Sequence, residues 1–137
     1  MTTAVNTTGT ATSAVGPLVG YGSAAAAAAS AATMAVAAVG QSGGISLDMG
    51  GAPIPVMGFG VLTAVFSFVG VILAVVLAYK AGDPRRVFVR TTMVLTALSL
   101  VPDVIADAGL ATRALLMSTH LVAAAIVIPA IARRLAG

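Results

Sequence analysis

Between Met1 and Tyr79 the chain carries a single charged side chain, Asp48, and its first basic residue is Lys80. A stretch of that length without charge cannot supply the surface of a water-soluble domain, in which about a quarter of the residues are charged. Over the whole chain the charged fraction is 8%, against 59% hydrophobic residues and a mean hydropathy of +1.08. The solvent for most of these residues is therefore lipid. With 137 residues there is room for one helical bundle and none for a separate soluble catalytic domain.

The apolar segments predict an all-α fold, an integral membrane four-helix bundle. Residues 1–14 are small and polar and read as a flexible tail, leaving 15–137 as the membrane domain. Pro17 suits a first helical turn, where its missing N–H has no intrahelical partner. The first span is expected over about 18–39, closing at Gly40 with a loop at Gln41–Gly44. A cleaved signal peptide would open with a basic region; none precedes Lys80, so the segment reads as a retained span. The second span is expected over 56–79 and stops at Lys80, Gly82 and Pro84. At ~1.5 Å per residue it reaches about 36 Å, enough to cross a bilayer with some tilt. The third is expected over 87–101, limited or kinked by Pro102, and the fourth over 111–132.

Charge gives the orientation. Lys80, Arg85, Arg86, Arg90, Arg133 and Arg134 fall in the loop between spans two and three or at the C-terminal end, which four spans place on one side. The opposite loops hold Asp48, Asp103 and Asp107 against Arg113 alone. The positive-inside rule then predicts both termini in the cytoplasm, in the cell membrane. The same cations serve as topology determinants and lipid head-group anchors. The chain's net charge of +3 goes with no basic stripe alternating with aromatics, so no nucleic acid is expected as a partner. The absence of cysteine excludes disulfides, thiolate metal sites and thiol exchange.

Spans in lipid associate through small residues that let backbones approach. Gly20, Ser23, Ala27, Ser30, Ala31 and Met34 form one face of the first span. Thr63, Ser67, Gly70 and Ala74 form a stripe at i, i+4, i+7, i+11 on the second. These faces predict close packing of spans one and two.

The third span carries a more polar stripe with the same spacing, Thr92, Thr96, Ser99 and Asp103, which Asp107 extends if the helix survives Pro102. Asp103 lies thirteen residues beyond Arg90, and His120 thirteen before Arg133. Both therefore sit about 20 Å from the basic interface, on spans expected to be neighbours. Ionisable groups at that depth are functional candidates, although His120 also suits a structural tie to a facing hydroxyl and Asp103 suits a helix cap at the interface. Arg113 opens the fourth span and is expected to pair with Asp103 or Asp107. One histidine with two aspartates is too few for a metal site, no cofactor is implied, and no Ser–His–Asp arrangement can be assigned from the linear order.

The Pro84-Arg85-Arg86 turn, the Val101-Pro102 end of span three, Met117-Ser-Thr-His120-Leu-Val and Ile128-Pro129-Ala-Ile-Ala-Arg133-Arg134 together resemble a family of small actinobacterial four-span membrane proteins classed as a domain of unknown function. The resemblance covers roughly residues 18 to 134 and implies the architecture and no activity. Three roles remain open: an accessory or scaffold protein that associates with itself or with a partner membrane protein, a binder or enzyme for a lipophilic molecule resembling a quinone or isoprenoid, and an oligomer conducting protons or ions. The candidate binding residues are His120, Asp103, Ser99, Thr96, Asp107 and Arg113.

Overall fold

A segment crossing hydrocarbon finds no water for its N–H and C=O groups, and the α-helix satisfies them within the segment. The computed structural model describes residues 8–136, with side chains from residue 15 onward. It contains α1 Thr8–Ser42, a two-stranded ribbon of β1 Asp48–Met49 and β2 Ala52–Pro53, then α2 Val56–Lys80, α3 Pro84–Ile105 and α4 Leu110–Ala132. Four helices, the first counted over Val15–Ser42, are long and apolar enough to cross a membrane.

Several boundaries differ from the sequence expectation. The first seven residues of the expected tail lie outside the described residues, but from Thr8 the chain is helical and Pro17 sits inside α1. At its far end α1 continues past Gly40. The Gly43 N–H and the Ser42 hydroxyl both donate to the Val39 carbonyl, and Gly44 takes a left-handed φ of 87° beyond the end. Helix α3 starts at Pro84, where the Asp83 carboxylate accepts the Arg86 N–H at 3.0 Å. A capping side chain followed by proline at the first helical position is a strong start signal. Pro102 does not end α3. It removes one i→i−4 bond, but it lies on the exposed face and the helix continues to Ile105.

Helix α1 packs along α2 on one side and α4 on the other, and α3 closes the ring against α4 and, less extensively, α2. Two apolar clusters mark opposite ends of the bundle. Leu18, Val71, Ala74, Phe88, Val127, Ile131 and Leu135 gather the start of α1, the second half of α2, the start of α3 and the end of α4. Ala37, Leu47, Phe59, Leu115 and Leu116 gather the reverse set. Lys80, Arg85, Arg86, Arg90, Arg133 and Arg134 thus share the end that also holds the start of the first span. Around the outside, Leu62, Phe66, Val69, Ile72, Leu95 and Leu98 are more than half exposed. In water that surface would be an aggregation site; in a bilayer it is the lipid face.

Spans one and two pack closely, as expected, but not on all the expected residues. On α1 the buried line is Leu18, Gly22, Ala25, Ala26, Ala29, Thr33 and Ala37, whereas Gly20, Ala27 and Ala31 are exposed. A helix made almost wholly of alanine offers little contrast from which to read its inner face. On α2, Ser67 and Ala74 are buried, but Gly70 faces open space. The close approaches occur at Gly22, where an added Cβ would lie 2.6 Å from Val71, at Gly60, where it would lie 2.7 Å from the Met34 sulfur, and at Gly40 against Leu115.

Gly60→Val is therefore expected to lower stability by about 1–3 kcal/mol through overpacking. Gly70→Ala, in the same helix, should be neutral or slightly stabilising. Thermal unfolding of both variants in mild detergent checks the pair, and equal losses would mean that the α1–α2 contact face is wrongly placed.

Candidate functional site

Most hydroxyls within the bundle are already satisfied by their own helices. On α3, Thr92 donates to the carbonyl of Phe88 at 2.8 Å, Thr96 to that of Thr92 at 2.8 Å, and Ser99 to that of Thr96 at 2.7 Å. On α4, Ser118 donates to Ala114 and Thr119 to Leu116, both at 2.7 Å. Such bonds to the preceding turn cost the helix little and remove the hydroxyl as an open donor in lipid. The polar stripe of α3 is thus a line of backbone-tied hydroxyls leading to Asp103.

Asp103 is only 6% exposed. Across the α3–α4 seam its Oδ2 lies 2.8 Å from His120 Nδ1. The same nitrogen lies 3.1 Å from the Leu116 carbonyl, one turn back on α4. Nδ1 has hydrogen-bond geometry with that carbonyl and not with Oδ2, which is buried without a hydrogen-bond partner. Both neighbours of Nδ1 are acceptor oxygens, which places the neutral ring's proton on Nδ1 and leaves Nε2 with a lone pair. Nε2 makes no hydrogen bond among the described residues, and the His120 side chain is 38% exposed. An imidazole tied through Nδ1 to the Leu116 carbonyl, with the Asp103 carboxylate beside it, thus presents one acceptor atom at the seam. It can accept a hydroxyl proton in a hydrogen bond, or serve as a base. No serine hydroxyl bonds to it among the described residues.

The remaining candidates lie elsewhere. Asp107 follows the end of α3, exposed in the turn to α4, and does not extend the polar face. Arg113 forms no ion pair with Asp103 or Asp107, contrary to expectation. Its Nε donates to the Ala108 carbonyl at 2.9 Å and its Nη1 to the Val104 carbonyl at 3.1 Å. The Val104 carbonyl, in the last turn of α3, is an acceptor that the helix itself cannot satisfy, and the planar guanidinium reaches it and the Ala108 carbonyl of the following turn at once. Lys80, Arg85, Arg86, Arg90, Arg133 and Arg134 are exposed at the opposite end.

One interhelical tie and two contacts at the loops went unforeseen. The Thr33 and Thr63 hydroxyls meet at 3.0 Å between α1 and α2. Thr33 lies seven residues before Gly40 and Thr63 seven after Val56, so the depth argument that links Asp103 with His120 would have linked these as well. At the far end the Thr112 hydroxyl donates to the Ser46 carbonyl and the Gly50 N–H to that of Asp107. No spacing in the sequence signals either of those.

A family model described as a family of unknown function (DUF6069) matches residues 13–137, and the chain belongs to that family. No curated protein and no solved structure matches it.

Removing the imidazole leaves a buried carboxylate alone in an apolar setting. His120→Leu is expected to cost about 3 kcal/mol, and adding Asp103→Leu should recover most of it, because the double variant strands no charge. Denaturant unfolding of the single and double variants measures this coupling; additive losses would show that the two side chains do not interact.

Proposed function

We propose that this member of the DUF6069 family is a multi-pass protein of an actinobacterial cell membrane that binds a lipid-soluble hydroxyl compound, such as a quinol or isoprenoid alcohol, at the α3–α4 seam. The observation that carries the reading is the unpartnered Nε2 of His120, held by Asp103 and Leu116 at its other ring nitrogen. The ligand hydroxyl donates to Nε2, and its hydrocarbon tail lies in the membrane. Asp103 is the positioning residue, and Thr96 and Ser99 extend the polar face of α3 behind it. Asp107 and Arg113 take no part: one is exposed in the turn and the other is bonded to the Val104 and Ala108 carbonyls.

Native mass spectrometry after gentle extraction from the source membrane tests this. A bound compound of reproducible mass is expected on the wild type, lost from His120→Ala and weakened in Asp103→Asn, with helical content unchanged in both. Absence of any bound small molecule, together with a homo-oligomer or a stoichiometric protein partner, would overturn it in favour of an accessory or scaffold role. With the α3 hydroxyls turned onto their own backbone, no observation favours a conducting oligomer.

The basic end of the bundle is assigned to the cytoplasm, with both termini inside, on the charge asymmetry between the two ends. The cysteine-free chain makes this simple to check. In intact cells a membrane-impermeant maleimide should label Ala52→Cys in the β ribbon and spare Gly82→Cys in the α2–α3 turn. The reverse pattern would invert the topology.

A further inference from the structure

The two ends of the bundle treat their cations differently. At one end the Arg113 guanidinium is spent on two carbonyls. At the other, Arg85, Arg86 and Arg90 surround an open depression with Asp83 and Val89. Asp83 is the acidic residue nearest in sequence, yet its Oδ1 is turned to the Arg86 backbone N–H. None of these three arginines forms an ion pair among the described residues. The other cations of this end add to the positive charge and supply no counter-ion. Lys80 and Arg133 are exposed, and Arg134 stacks on Tyr21 at 3.4 Å from the ring centroid. Three guanidinium groups beside one carboxylate leave the depression net positive, so an anion that bridges the guanidinium groups is favoured.

What lies below the arginines narrows the anion to one kind. Arg86 and Arg90 are one turn apart on α3, and the same exposed line continues through Val94, Leu98 and Val101. Two guanidinium groups at the interface therefore head a bare apolar strip running into the membrane. That is the complement of a molecule with a phosphate at one end and acyl chains at the other. We infer that the Arg85–Arg86–Arg90 cluster and the apolar strip below it form a binding site for an anionic phospholipid of the leaflet at the basic end. The guanidinium groups of Arg86 and Arg90 take the phosphate oxygens, as their forked donors suit, and the chains lie along Val94 and Leu98. The site is separate from the His120 seam and stands whether or not that seam binds a ligand.

The test is native mass spectrometry of the full chain in nonionic detergent, titrated with phosphatidylglycerol, with phosphatidylcholine as the zwitterionic control. Retention of phosphatidylglycerol should exceed that of phosphatidylcholine. It should fall about thirtyfold in Arg86→Gln/Arg90→Gln, at about a factor of five for each arginine beside an anionic lipid. Arg133→Gln/Arg134→Gln should stay within about threefold of wild type, being off the α3 line. Should the double α3 variant fail to fold, Arg90→Gln alone, whose side chain makes no hydrogen bond among the described residues, should show about a fivefold loss. Equal retention of the two lipids, an unaffected α3 variant, an equal loss in the Arg133/Arg134 pair, or displacement of the lipid by inorganic phosphate would each overturn the site as drawn.

Discussion

Helix α1 comes close enough to two neighbours at once to be the spine of the bundle, and its lack of side-chain bulk is what allows it. Lipid offers apolar side chains as good an environment as another helix does, so association depends on close contact and on hydrogen bonds between helices. Gly22 admits Val71 of α2, Gly60 of α2 admits Met34 of α1, and Gly40 admits Leu115 of α4. At mid-depth the Thr33–Thr63 bond adds a polar tie to the same α1–α2 seam. Once α2 and α4 are set against α1, the short connections bring α3 to the remaining side.

That arrangement creates the setting in which a carboxylate is tolerated inside the membrane. An ionisable group at such depth is costly unless it meets a partner, and Asp103 meets the imidazole of His120 across the seam. The hydroxyls around the pair are closed off by their own carbonyls. At the pair itself, His120 Nε2 and Asp103 Oδ2 make no hydrogen bond among the described residues.

The ends are built on different principles. At the end bearing the β ribbon, backbone groups bond to one another and to Arg113 and Thr112, joining residues far apart in sequence. Gly50 and Gly51, at φ of 60° and 81°, make the tight ribbon turn. At the basic end the Arg85 N–H meets the Ala136 carbonyl at 3.2 Å and Leu135 enters the core, while the arginine side chains stay outside. One end is closed by the chain itself; the other leaves its charge for the surroundings.

By itself the sequence determined the number and approximate place of the spans, the gathering of six cations at one end, and the equal depth of Asp103 and His120. Each follows from hydropathy, charge and a rise of ~1.5 Å per residue, which are properties of a segment and need no partner. Only the tertiary structure decided which face of the alanine-rich α1 is buried, since small residues surround that helix and the inner face is set by where Val71 of α2 and Leu115 of α4 project. It also decided that Arg113 holds carbonyls and not carboxylates, and that Asp103 and His120 touch. Depth along a helix is additive and legible from spacing, but rotation about the helix axis is fixed by the neighbours that pack against it.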